Sequence, residues 1–210
     1  MFEILLNKSV RIESKRLFLR PFQASDAEWY YAMSLKNKEH LRRYEFGNPV
    51  MTIESVEDAR KVLVGMSLDW GKNFFLGAFN RQNGEFIAQI YIGVVNWGLP
   101  EYRVGYFVEQ GHEGQGYVTE AVLAALDFIF ETLGAQRASL ECSDTNSRSY
   151  HVAERCGMLR EAHFRQNKHT PDGAVEGTLF FGMLRSEWEA RRAYEPAAIT
   201  LSPAISGPGE

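Results

Sequence analysis

The sequence predicts an α/β chain, a mixed sheet flanked by helices. Three observations carry that expectation. Strand-like runs at 74–79, 86–95 and 103–108 read as an antiparallel meander behind two helical segments. A glycine-rich stretch, 109–116, then leads into a helical period and a further strand at 138–142. Strand, loop, helix and strand make a crossover unit, whose two strands run parallel. Two more strand-like runs, 159–166 and 177–184, complete the pattern.

Taken in order, Leu17-Phe18-Leu19-Arg20-Pro21 alternates and meets a proline, which points to a strand at a sheet edge. Ser25 or Asp26 then caps a helix through Ala27, Trp29, Tyr30 and Met33. Residues 36–43 are polar and basic and read as a loop with a short helical turn. Thr52 is the expected cap of a second helix through Val56, Ala59, Leu63 and Met66. Asn83-Gly84 is a hairpin signal between the first two meander strands. Val118, Val122, Leu126, Ile129 and Leu133 recur at helical spacing, and Gly134 ends that helix. Residues 147–156 form another helix, stopped by Gly157. Thr170-Pro171-Asp172-Gly173 is a turn by its residue chemistry.

The chain has 210 residues, 45 % of them hydrophobic, and a net charge of −4. That length suits one domain, 1–192, with a flexible tail at 193–210 where periodicity gives way to Pro, Gly and Ser. No basic excess advertises nucleic acid or a membrane surface as a direct partner. Cys142 and Cys156 are in no CxxC arrangement, and the five histidines show no metal spacing, so no metal is expected. Phe2–Leu6 is too short for a signal core, and no apolar run approaches a membrane span. A cytoplasmic location is the expectation.

The most informative stretch runs from Tyr102 to Val108 and on through Gly111-His112-Glu113-Gly114-Gln115-Gly116-Tyr117-Val118-Thr119-Glu120. A glycine loop at a helix start presents unpaired backbone N–H groups, and with the helix dipole they suit a phosphate. It is not a nucleotide-binding Walker loop, because no Gly-Lys-Ser/Thr follows. The spacing also fails the dinucleotide-binding GxGxxG pattern. After the next strand, Asp144-Thr145-Asn146-Ser147-Arg148-Ser149 offers polar side chains at a strand's carboxyl end, where α/β ligands sit. Asn146 and Ser147 fit helix capping equally well.

Three blocks in this order resemble the GNAT N-acetyltransferase superfamily, and within it the RimJ/RimL-like branch. They are Ser14-Lys15-Arg16-Leu17-Phe18-Leu19-Arg20-Pro21, then Gly114-Gln115-Gly116-Tyr117-Val118-Thr119-Glu120-Ala121, then Asn146-Ser147-Arg148-Ser149 leading to Glu154-Arg155-Cys156-Gly157-Met158. The resemblance spans about residues 11–188. It implies a twisted, mostly antiparallel sheet with one splayed parallel pair. It also implies an enzyme that moves an acetyl group from acetyl-CoA to a primary amine.

By the same resemblance, Tyr106, Phe107 and Val108 offer backbone to the pantetheine arm, as a paired strand would. Residues Glu113, Gly114, Gln115, Gly116, Tyr117, Val118 and Thr119 hold the diphosphate. Asn146 bonds the pantetheine arm, and Arg148 and Arg155 serve the adenosine side. Ser149 is the implied general acid, with Tyr150 as its rival, and the amide of Phe107 or Val108 is the oxyanion donor. Glu101 is the first candidate base and Glu161 the second. An α-amine titrates near about 8 and a lysine near about 10.4, so an N-terminal amine asks less of a base.

Departures from the family pattern are also legible. Glu113 stands where the loop usually begins with Gln or Arg, and Val118 replaces a small residue. Arg103 occupies a strand position often acidic in the family. Between residues 109 and 131 there is no Lys or Arg. The acceptor side is expected from 24–46 and the 166–177 turn, where Lys168 and His169 suit either a solvated loop, the preferred reading, or an anionic acceptor. Three functions are weighed: acetylation of a protein or peptide N-terminus, acetylation of a small amine such as an amino acid, polyamine or aminoglycoside, and non-catalytic CoA sensing. The chain is expected as a monomer or a homodimer, with Trp97 or Tyr102 as an exposed aromatic for the latter.

Overall fold

A computed structural model describes residues 8–191 and 197–203. Nine strands form one sheet: β1 (Lys8–Glu13), β2 (Leu17–Pro21), β3 (Asn73–Asn80), β4 (Phe86–Asn96), β5 (Glu101–Val108), β6 (Arg137–Ser143), β7 (Leu159–His169), β8 (Val175–Leu184) and β9 (Ala198–Pro203). Their order across the sheet is β7-β8-β6-β5-β4-β3-β2-β1-β9. Every neighbouring pair is antiparallel except β5 and β6. Among the described residues, five α-helices accompany the sheet: α1 (Ala27–Leu41), α2 (Val56–Leu68), α3 (Tyr117–Asp127), α4 (Ser147–Arg155) and α5 (Arg185–Arg191).

Alternation along the strands feeds two apolar layers. Leu17, Leu19, Leu76, Ile90 and Val104 pack with Ala121, Val122 and Ala125 of α3. Phe22, Phe79, Phe86 and Phe107 pack with Tyr30 of α1 and Leu63 of α2. Trp29 adds an aromatic cluster there, with its ring 5.4 Å from Phe86 and 5.7 Å from Phe79. The helical period predicted through Leu133 is α-helical only to Asp127. Residues Phe128–Thr132 widen into a π turn that ends before Gly134, at φ +70°.

Several expectations need correction. Strand β2 is interior, because β1 and β9 extend the sheet beyond it; its proline is the last strand residue, opposite Leu76 of β3 and past the residues registered with β1. Helix α1 continues to Leu41, so residues 36–41 are helical rather than loop. The cap of α2 is Ser55, whose hydroxyl oxygen accepts from the Asp58 N–H at 3.1 Å; Thr52 belongs to a preceding 3-10 turn. The tail reading fails for 198–203, which pair with β1 from Ala198 opposite Glu13 to Pro203 opposite Lys8. The rest of 193–210, apart from Ala197, lies outside the described residues. Tyr102 is 1 % exposed and offers no surface for a dimer.

A bipartite cleft between the splayed strands

The parallel pair is short. Only Glu101–Arg103 of β5 register with Arg137–Ser139 of β6, after which the strands diverge. The divergence leaves Val104–Val108 paired on the β4 side alone. Two cavities open along it. One, of about 330 Å³, lies beside the glycine loop and the starts of α3 and α4. The other, of about 380 Å³, lies between β5, β6 and β8. Arg43, Tyr44, Glu45, Tyr106, Asn146 and Ser149 line both, so the two cavities adjoin at these residues.

The first cavity gathers most of the residues expected to hold the cofactor. Tyr106, Phe107, Val108, Glu113, Gly114, Gly116, Tyr117, Val118, Thr119, Asn146, Arg148 and Arg155 line it together with Ser149. Gln115 does not: its side chain turns back to donate to the Gly111 carbonyl at 3.1 Å. Gly114 and Gly116 sit at φ +71° and +75°, which side-chain-bearing residues rarely adopt. A Cβ on Gly114 would meet nothing within 4 Å, so its conformation, not internal crowding, requires glycine. Gly116 is the N-cap of α3, and the first-turn amides behind it face no intrahelical acceptor. Thr119 Oγ1 is buried without a partner among the described residues. An anionic group in this cavity would satisfy the first-turn amides. The residues therefore fit a diphosphate.

The loop is anchored from across the molecule. Arg16 Nε donates to Glu120 Oε2 at 2.6 Å, and the Arg16 backbone N–H and Ser14 hydroxyl donate to Oε1 at 2.6 and 2.7 Å. A second guanidinium nitrogen reaches the Gln115 carbonyl at 3.0 Å, and the group lies 4.3 Å from the Tyr117 ring centre. Burial alone would raise the Glu120 pKa. The Arg16 and Ser14 bonds outweigh it and hold it below the ordinary carboxylate value. The Ser14-Lys15-Arg16 block thus supplies a cation that residues 109–131 lack. On the other flank, Glu109 takes His112 Nδ1 at 2.8 Å and pairs with Lys36, while Asn37 accepts from the Gln110 N–H at 2.9 Å.

Glu113 pairs with Arg148 across the cavity, with His40 Nε2 3.3 Å away. The expected adenosine-side arginine is therefore engaged by the loop's own carboxylate.

At the junction, the Tyr106 hydroxyl donates to the Ser149 carbonyl at 2.9 Å and lies 3.0 Å from Ser149 Oγ. Burial pushes the Tyr106 hydroxyl pKa well above its ordinary value, so it stays protonated. Asn146 caps α4 by accepting from the Ser149 N–H at 3.2 Å. Tyr150 lines neither cavity; its ring packs against His151, 4.6 Å away. The candidate acid pair is thus Ser149 with Tyr106, whose hydroxyl sequence reasoning passed over.

The two carboxylates expected as bases are elsewhere. Glu101 sits at the closed end of the parallel pair, 3.2 Å from Arg137 Nε. Glu161 lies on β7 and bonds the same Arg137, at 2.6 Å from Nη1. Neither lines either of these two cavities. Of the carboxylates lining the two cavities, Glu45, on the loop after α1, is the one that pairs with no Lys, Arg or His among the described residues. Its pKa is pushed up to about 7 by burial, against a bond from Asn48 that lowers it. Only burial would have marked it. That burial comes from the fold, as when the Tyr44 hydroxyl donates to the Thr145 carbonyl at 3.1 Å, across 101 positions. The expected acceptor segments do meet at the second cavity, through 43–46 and Asn167, Lys168 and Glu176. Lys168 is paired there with Glu176 at 3.3 Å.

A splayed parallel pair, an anion-ready loop at a helix start and a second cavity adjoining the first make a two-part cleft that suits an enzyme bringing a phosphate-bearing donor to a second substrate. Residues 16–159 match the acetyltransferase (GNAT) domain, and the chain belongs to that family. It is similar to the uncharacterized N-acetyltransferase YnaD of Bacillus subtilis (strain 168), 26 % identical over 180 residues, covering 85 % of this chain and 99 % of the relative. It is 24 % identical over 174 residues to the ribosomal-protein-serine acetyltransferase of Escherichia coli (strain K12), covering 83 % and 96 %. The solved structure of Mycobacterium smegmatis RimJ in complex with CoA-disulfide shares the fold, with a TM-score of 0.73 and 23 % identity over 85 % of this chain and 87 % of that one. Among the described residues, no His, Cys, Asp and Glu group is arranged to hold a metal, and no helix is long and apolar enough to cross a membrane.

Proposed function

We propose that the chain transfers the acetyl group of acetyl-CoA to the N-terminal α-amine of a protein or peptide. The observation that carries this reading is the meeting of two cavities at Tyr106, Asn146 and Ser149. A donor held on the loop side and an amine entering from the other side would face each other there. The RimJ complex supports CoA as the donor, and the ribosomal-protein-serine acetyltransferase supports a protein acceptor.

Acetyl-CoA, when bound, supplies a thioester already activated toward amines. The loop amides of 113–118 would hold its diphosphate, and the free side of Tyr106–Val108 would receive the pantetheine arm. The Phe107 or Val108 amide stabilises the carbonyl oxygen. Ser149 delivers a proton to the leaving sulfur, with Tyr106 behind it. We assign the enzyme to the cytoplasm, as monomer or homodimer, needing no metal and no nucleic acid.

The test is calorimetric titration with acetyl-CoA, alongside free-thiol release over a panel of peptides, polyamines, amino acids and aminoglycosides. Thiol release with peptides bearing a free α-amine, lost on blocking that amine, is expected. Release with polyamines or aminoglycosides alone moves the acceptor to small molecules, and binding without release on any acceptor leaves a CoA sensor.

A further inference from the structure

We infer that Glu45 is the base that takes the acceptor's proton, and that the acceptor presents a single ammonium rather than several. This deepens the function proposed above and rests on it.

Position comes first. Glu45 lines both cavities, at the same junction as Ser149 and Tyr106. Its loop is fixed: the Glu45 N–H donates to the Leu41 carbonyl and the Asn48 N–H to the Glu45 carbonyl, both at 2.8 Å. Asn48 Nδ2 donates to Oε2 at 3.2 Å. Among the described residues nothing donates to Oε1, and no Lys or Arg pairs with the carboxylate.

Charge comes second. The other carboxylates of the acceptor cavity are already matched. Glu141 is 3.0 Å from Arg103. Glu176 is 3.3 Å from Lys168 and accepts from the Thr145 hydroxyl at 2.8 Å. A polyamine would need a second free carboxylate and would have to break one of these pairs to find it. Arg43, exposed at the same rim, offers no acceptor to a second ammonium. One free carboxylate suits one ammonium.

The groups facing Glu45 do not override it. Tyr106 on β5 and Cys142 on β6 are both pushed toward their neutral forms by burial. Glu113 on the loop, Arg148 on α4 and His40 on α1 are occupied with one another. Tyr44 is bonded to Thr145, and Arg43 lies 5.1 Å from the Tyr44 ring centre and within electrostatic reach of Asp172. With its carboxyl pushed up to about 7, Glu45 lies roughly one unit below an α-amine and roughly three below a lysine-type amine. Proton transfer from the former is only mildly uphill.

The step balances. The ammonium gives one proton to the Glu45 carboxylate, which passes it to solvent. The freed nitrogen lone pair bonds the thioester carbonyl carbon as the carbon–sulfur bond breaks. The nitrogen sheds a second proton, and the sulfur gains one by way of Ser149 or Tyr106.

The test compares the wild-type protein with Glu45→Gln by calorimetry with acetyl-CoA, by thiol-release pH profiles with an α-amine tripeptide and with spermidine, and by 13C NMR titration of glutamate carboxyls without ligand. The wild type should prefer the tripeptide and show a carboxyl titrating near 7 that is missing from the variant. Glu45→Gln should cut kcat/KM about 100-fold and lose the limb of the profile near neutrality, with acetyl-CoA affinity within about twofold. A variant with the wild-type rate and profile overturns the base, whatever the NMR shows. Preference for spermidine overturns the single-ammonium acceptor. A wild type that binds acetyl-CoA yet acetylates neither amine overturns the parent reading instead, and the carboxyl titration still reports on Glu45 by itself.

Discussion

Arg16 and Glu120 lie 104 positions apart, yet their side chains meet at 2.6 Å and join the first strands to the helix behind the glycine loop. Replacing Arg16 with Met leaves a partly buried carboxylate with fewer donors. The expected cost is about 2 kcal/mol, or a fall of roughly 5 °C in Tm. Acetyl-CoA affinity should fall with it, since the guanidinium also holds the Gln115 carbonyl. Because the folded Glu120 pKa is lowered, its contribution is present above the unfolded value of 4.5 and is lost as pH falls through the folded one. Glu120→Gln should therefore flatten the acid limb of a stability–pH curve. A limb as steep as the wild type's would place the acid sensitivity elsewhere.

Ser149 and Tyr106 act as one relay if the 3.0 Å contact between their hydroxyls is used in turnover. Ser149→Ala and Tyr106→Phe should each lower kcat by about 100-fold and leave acetyl-CoA binding nearly intact. The double variant should be little worse than either single one, because both changes interrupt one path. Additive losses would separate the two hydroxyls into independent roles.

Glu113 holds Arg148, the arginine expected on the adenosine phosphate side, in an ion pair. Glu113→Gln should tighten acetyl-CoA binding by about threefold to tenfold at low ionic strength, with the gain shrinking as salt is added. Calorimetry at two salt concentrations checks this, and weaker binding by the variant would mean that the pair organises the loop rather than blocking it.

Glu45 should cost the fold stability once it ionises. Its folded pKa of about 7 lies above the ordinary 4.5, so the folded state holds the proton more tightly and stability declines as pH rises between the two. Thermal melts at pH 5 and pH 8 should show a smaller difference for Glu45→Gln than for the wild type. Equal differences would mean that the carboxyl is ordinary in solution.

What could be read from the chain followed from local chemistry. The loop declared itself through Gly114 and Gly116, and α3 through its helical period, because both signals lie within a few residues of each other. Glu45 carries no such signature. A lone carboxylate between Tyr44 and Phe46 gains meaning only when the β6–α4 turn closes over it. Glu101 and Glu161 misled for the complementary reason: Arg137, distant in sequence from both, neutralises them. Strand β1 was overlooked because its short alternation of Val10 and Ile12 makes sense only beside β9, from the far end of the chain.

That last pairing has a consequence for the order in which the molecule assembles. Ile12 faces Ile199 across a ladder whose closure spans almost the whole described chain. Contacts of such high sequence separation pay the loop-closure entropy of everything between them, and they form late. The β1–β9 margin should then be the last part of the sheet to gain protection in a pulse-labelled hydrogen-exchange experiment and among the first to open under native conditions. While it is open, β1 presents an unpaired edge to other chains. Docking of β9 thus moves the margin of the sheet from β1 to β9, at the far side from β7.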